Sequence, residues 1–200
     1  MAKITQLSQL DLNAEYSYAD YLTWLFDATV ELIKGKILMN PAPNFNHHYI
    51  SKNFLVDIGY FLKGKPCQVF HAPFYARLYD RKNQSLPIKT SLSLCSPTYR
   101  LFVTRINSIA KAVWVRLTGL LKSSPPSSAQ KDTQTKYQLY RETGVKEYWL
   151  VYPYEASVSQ FVLDEEHEKY QLAQMFSRND KATALLFPDL AIDLKDIFAH

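Results

Sequence analysis

Not one acidic residue occurs between Asp80 and Asp132. The chain's other scarcities are ordinary, and they narrow the field. There are two cysteines, Cys67 and Cys95, which form neither a CxxC pair nor a disulfide framework. That excludes a stapled secreted scaffold and suits a reducing, cytoplasmic compartment. No run of about 18 uncharged apolar residues exists, so no membrane-spanning helix is expected. The opening MAKITQLSQLDLNAEYSY has one Lys and no apolar core, unlike a secretory signal. Charged residues make up 21%, while Tyr and Phe number 14 and 11, a composition that excludes disorder. Two hundred residues, 47% of them apolar, suffice for a single domain over 1–200 with a normal core.

The net charge of +4 points first toward a nucleic-acid partner, but it is unevenly spread. Residues 86–128 carry Lys89, Arg100, Arg105, Lys111, Arg116 and Lys122 with no acid, hence +6, which leaves −2 for the rest. The segment ends in Ser123-Ser124-Pro125-Pro126-Ser127-Ser128. So sharp a shift in composition marks 86–128 as anomalous: a different domain, a linker or a defect.

On either side the grammar is regular. Ser17 and Asp20 form a capping-box pattern before an apolar stripe, predicting a helix over 17–29. Residues 31–39 read as a hairpin turning at Lys34-Gly35. Pro41 and Pro43 interrupt the chain. Ile50, Phe54, Leu55, Ile58 and Leu62 then space a helix near 44–63. A strand is expected over 67–78, and a helix over 132–143 stopped by Gly144. Strand 147–152 follows, then a hairpin of 156–163 with 169–176 around Asp164-Glu165-Glu166. The tail from Phe187 to Phe198 supplies a strand and a helical turn. The interleaving predicts an α/β or α+β class.

Several of these residues resemble a known family. Tyr18-Ala19-Asp20-Tyr21-Leu22, Glu31-Leu32-Ile33-x-Gly35, Pro41-Ala42-Pro43, His47 and Phe70-His71-Ala72-Pro73-Phe74 with Arg77-Leu78 occur in order. So do Asp132, Lys136, Tyr140, Gly144-Val145-x-Glu147-Tyr148-Trp149 and Pro153. Over about 1–85 and 129–200 they resemble the Uma2 (DUF820) family of restriction-endonuclease-like proteins, within the PD-(D/E)xK nuclease-like superfamily. The resemblance implies a mixed central sheet flanked by helices, Mg²⁺ (or Mn²⁺) as cofactor and hydrolysis of DNA phosphodiester bonds. It implies DNA as partner and no membrane, and it leaves a homodimer open. The chain departs from the family at Tyr152, where Asp is usual, and at Lys34, where Asp or Asn is common.

Metal-dependent hydrolysis needs hard oxygen ligands to polarise the phosphate and activate water, and a Lys to offset developing charge. The family places its metal-binding Asp in a Gln-Pro-Asp strand and its Glu in a Glu-Ile-Leu-Ser-Pro strand, both within the interval that here lacks acids. A shifted reading frame would account for both oddities. Cys95 to Arg100 can be encoded TGC AGC CCG ACA TAT CGG, which read two bases later gives Gln-Pro-Asp-Ile-Ser. Arg116 to Pro125 can be encoded CGC CTG ACT GGA TTA TTG AAA TCC TCT CCC. The same shift gives Pro-Asp-Trp-Ile-Ile-Glu-Ile-Leu-Ser. The third bases are free, but the first two are fixed at most positions. Residues 86–126 are therefore read as out of frame. The sheet is expected to be disrupted in its middle, with 86–128 displaced, poorly ordered or helical.

The resemblance makes Glu31 and Lys136 the catalytic candidates. It leaves no intact metal site, with Glu31 at most a remnant ligand. Each has a plainer alternative: Glu31 as an exposed residue at a strand start, and Lys136 as the i,i+4 partner of Asp132 on a solvated face. Tyr140 is expected in the core, and Tyr148-Trp149 in the core or on a sheet face. His47 and His48 diverge by about 100° on a helix and do not make a metal pair. The basic residues of 100–122 spread over much of a half-circle of a helix, with apolar residues interspersed, unlike the faces of a membrane-surface segment.

Overall fold

The computed structural model describes residues 4–26, 30–39, 45–65, 67–71, 75–79, 87–94, 100–105, 108–117, 134–135 and 137–199. The chain divides into two units: Met1–Ala42 with Ala72–Thr98, and Pro43–His71 with Tyr99–His200.

The first unit holds a four-stranded sheet, ordered β2-β1-β5-β4. Its strands are β1 (Val30–Ile33), β2 (Lys36–Met39), β4 (Tyr75–Tyr79) and β5 (Pro87–Leu94). The expected hairpin is present, with Ile33 paired to Lys36 across the turn. Lys34 and Gly35 both have positive φ, 48° and 81°. Such a two-residue turn matches the twist of the strands and favours Asn or Asp first and Gly second. This is the physical reason for Asn or Asp at the position that Lys34 occupies.

The helix expected over 17–29 is shorter than predicted: α1 spans only Tyr18–Tyr21. Its capping box forms, with Asp20 Oδ2 accepting from the Ser17 amide at 2.7 Å and Ser17 Oγ accepting from the Asp20 amide at 3.2 Å. The Ser17 hydroxyl, donating to Asp20 Oδ2 at 2.6 Å, and then the Ser17 amide hold the Asp20 carboxyl below its ordinary pKa. Propagation then fails. Thr23 Oγ1 donates back to the Asp20 carbonyl at 2.6 Å, and Trp24 bridges Ile4. Trp24 packs edge-on to Tyr16 and Tyr21 in a core with Leu10, Val30, Leu32 and Ile37. Leu22 and Leu25 are exposed, so the supposed stripe is not one face.

In the second unit a six-stranded mixed sheet runs β10-β9-β8-β7-β6-β3. Its members are β3 (Cys67–His71), β6 (Arg100–Arg105), β7 (Ser108–Leu117), β8 (Glu147–Tyr152), β9 (Ser157–Asp164) and β10 (Lys169–Phe176). Only β7 and β8 pair in parallel, which requires a crossover. Within that crossover residues 134–135 and 137–142 are helical (α3), and Gly144 (φ 72°) follows as the left-handed stop. The expected strand over 67–78 is divided into β3 and β4, which belong to different sheets. Pro73, between them, cannot donate to a ladder.

Helix α2 (Phe45–Leu62) buries Ile50, Phe54, Ile58 and Leu62. They pack with Trp149, Val151, Val158 and Phe176, and with the terminal β11 (Lys181–Thr183), β12 (Ala191–Asp193) and α4 (Leu194–Ile197). β8 is buried along most of its length. Trp149 packs on Phe54 of α2, while Tyr148 packs on Tyr140 of α3. Strand alternation sends these neighbours to opposite faces, each covered by a helix. Both were expected in the core.

One expectation fails here. Residues 100–105 and 108–117 are strands, not helix, and they occupy the middle of the sheet between β3 and β8. Val103, Thr104, Ile109, Val113, Trp114 and Val115 give the pair the β-branched and aromatic content of strands. The flanking strands offer it ladder partners on both sides.

Candidate functional site

Glu31 lies on β1 of the first unit, opposite Leu38 across the hairpin. Lys136 and Asp132 lie outside the described residues, as do 95–99 and 118–133, which include the positions of both shifted-frame acids. Among the described residues no three of His, Cys, Asp and Glu are grouped to hold a metal.

His47 and His48 separate as helix spacing requires. His47 is buried in the second unit's core and His48 is exposed. Desolvation first, then the neighbouring His48, lower the His47 pKa below its ordinary 6.5. This imidazole is held neutral at physiological pH by its surroundings.

A buried polar centre went unpredicted. Glu147 has no exposed surface. Its Oε1 accepts from Trp149 Nε1 at 2.6 Å, Gln160 Nε2 at 2.6 Å and the Leu185 amide at 3.2 Å, and its Oε2 accepts from the Leu186 amide at 2.9 Å. Gln160 also donates to the Thr183 carbonyl at 2.9 Å. The carboxylate thus ties β8, β9 and the turn after β11 together, using oxygens that a catalytic acid or metal ligand would need free. The sequence signal was available: an acid opening the apolar run 147–152, two residues before a Trp on the same strand face.

The opposite sheet face carries tyrosines around α3. Tyr137 donates to the Tyr170 carbonyl at 3.0 Å, and Tyr170 donates to the Val145 carbonyl at 2.6 Å. Burial, then Tyr140 and Tyr148, push the Tyr170 phenol far above its ordinary pKa. Tyr170 is a strut, not a proton carrier. Together these contacts seat the 137–142 stretch of α3 on the sheet.

Comparison with known proteins gives two findings. Residues 124–195 match the model of the Uma2 family, described as "Putative restriction endonuclease". The chain is also similar in structure to a putative nuclease belonging to DUF820 from Anabaena variabilis ATCC 29413. That likeness has a TM-score of 0.61 at 15% identity, over 92% of this chain and 98% of the other. No curated protein matches the chain. The N-terminal motifs of the resemblance fall outside the matched residues. Among the described residues no helix is long and apolar enough to cross a membrane. The two findings agree with each other and with the motifs: region 124–195 is similar to the Uma2 family, and the fold is similar to that of a DUF820 protein.

Proposed function

We propose that the chain is one nuclease-like domain of the metal-dependent, DNA-hydrolysing type, cytoplasmic, in which hydrolysis is absent or crippled. One observation carries this reading: residues 81–131 contain no carboxylate, and the family's two metal-binding acids belong there. The family match beginning at residue 124, where the acid-free interval nears its end, supports a change of frame over about 86–126. On this reading Glu31 is a remnant ligand and Lys136 a remnant charge stabiliser for Mg²⁺- or Mn²⁺-assisted cleavage.

The test pairs the chain with a version rebuilt in the alternative frame across 86–126. Calorimetry with Mn²⁺ is expected to find no micromolar site in the chain as it stands, and plasmid DNA should remain intact. The rebuilt chain should bind Mn²⁺ and nick DNA. Micromolar Mn²⁺ binding and cleavage by the present chain, both abolished by Glu31→Ala, would overturn the proposal. So would a gene whose codons cannot yield Gln-Pro-Asp and Glu-Ile-Leu in the shifted frame. The +6 charge of 86–128 favours a second reading, a non-enzymatic nucleic-acid binder, marked by steep salt dependence.

A further inference from the structure

Helix α2 buries one face and leaves the other uncovered. Phe45, Lys52, Val56 and Tyr60 are all exposed, and they recur at helical spacing along one line that the exposed Lys63 continues. From Phe45 to Lys63 the line spans about 27 Å. Phe45 is 73% exposed and Tyr60 83%, unusual for rings this large. The single acid of α2, Asp57, stands to one side of the line, near Asp193 and Asp196. Lys52, Lys63 and Lys65 take part in no ion pair among the described residues.

A shallow concavity lies at each end of the line. One of about 490 Å³ is lined by Phe45, His48, Tyr49, Lys52 and Leu55. The other, about 360 Å³, includes Gly59, Lys63, Lys65, Cys67 and Val69. In the first, Lys52 Nζ lies 4.5 Å from the Tyr49 centroid; Lys65, which lines the second, has its Nζ 3.1 Å from the centroid of Phe61, a ring outside that lining. The first concavity also holds a stacked ring pair, Phe45 on Tyr49, with centroids 6.2 Å apart.

We propose that this face of α2 is a track for single-stranded nucleic acid, with the lysines meeting phosphates and the exposed rings stacking on bases. The pattern decides among occupants. A second copy of the same face would set lysine against lysine with no acid in the line. A lipid surface calls for a broad contiguous apolar face, whereas here lysines interrupt the apolar residues. An acidic peptide would satisfy the charge and leave Phe45 and Tyr60 unused. Alternating cations and exposed rings match a strand that offers both phosphates and base faces. The surface belongs wholly to the second unit and needs neither metal nor hydrolysis.

The experiment is anisotropy of a fluorescent oligothymidylate with the full chain, in chelator, so that loss of binding and loss of cleavage are separate results. Binding that weakens with salt is expected. Lys52→Glu with Lys63→Glu, and separately Tyr60→Ala, should each weaken it about ten-fold or more. Lys169→Glu with Lys181→Glu makes the same change in net charge on exposed residues elsewhere, and should leave affinity unchanged. The proposal is overturned by an absence of binding, by equal losses in the two double variants, or by displacement of the oligonucleotide by polyglutamate of equal charge. Capture by phosphatidylserine vesicles in preference to the oligonucleotide would overturn it too. If the double variant does not fold, Tyr60→Ser alone decides, since so exposed a ring carries little of the fold.

Discussion

Strands β7 and β8 lie side by side in parallel register, with Val113 opposite Glu147 and Leu117 opposite Val151, yet they differ in kind. In β8 every level of description agrees. The strand has apolar and aromatic residues, both faces are covered by helices, and its one acid has a donor for each oxygen. In β7 the ladder forms, but Lys111 and Arg116 interrupt the strand. The register also sets Arg116 opposite Arg100 of β6. Backbone pairing asks only for β-tolerant residues beside an available edge. Side-chain fit asks for a sequence shaped to one place, and β8 shows one.

The largest test of that contrast is Trp149→Ala. Trp149 is 1% exposed, packs against Phe54 and Phe176 and donates to Glu147. Its loss should cost about 3–5 kcal/mol, from a total stability of about 5–15 kcal/mol. Urea denaturation measures this. Trp114→Ala on β7 should cost markedly less. Equal costs would mean that the centre is fitted as closely as the flank.

The flanks were legible because their signals are local. The Lys34-Gly35 turn, the Ile50–Leu62 stripe of α2, strand 147–152 and the hairpin around Asp164 can each be read from a few neighbouring residues. The shortness of α1 could not be read that way, because the bridge from Trp24 to Ile4 is a tertiary contact that cuts the helix off. Nor could the strands at 100–117. Their Leu, Ala and Arg content suits a helix, but the unpaired edges of β3 and β8 are visible only once the sheet exists. The Glu147 network depends on amides nearly forty residues downstream. The candidate site was legible chiefly as an absence, the missing carboxylates.

A change of intermediate size is expected at the centre, and with the opposite sign. Replacing Arg116 by Val removes one of two like-charged residues at facing positions and supplies a β-branched residue. Facing like charges are unfavourable, and such pairs are worth about 0.2–1 kcal/mol. Arg116→Val should therefore stabilise the chain by an amount within that range, read from the urea midpoint at constant slope. A loss of stability would show that Arg116 has a compensating partner and that β7 is adapted to its place.

The smallest effect belongs to the flank and depends on pH. Asn53 donates to the carbonyls of Asp196 and Ile197 at 3.2 and 3.1 Å, tying α2 to α4 and bringing Asp57 near two other acids. Burial first, then Asp196 and Asp193, raise the Asp57 pKa above its ordinary 3.8. A carboxyl whose folded pKa is raised holds its proton more tightly in the folded state. Its contribution to stability is full below 3.8 and is lost as pH rises through the folded value. At about pH 7 the ionised side chain is a net cost, softened by solvent because it is only partly buried. Asp57→Asn should raise the melting temperature slightly at that pH, and the gain should vanish below pH 3.8. Paired melts of the two chains at both pH values measure the difference. A gain that persisted unchanged at low pH would assign it to the amide's hydrogen bonding. The like charges between α2 and α4 would then cost the fold nothing, and this flank would be as free of conflict as β8.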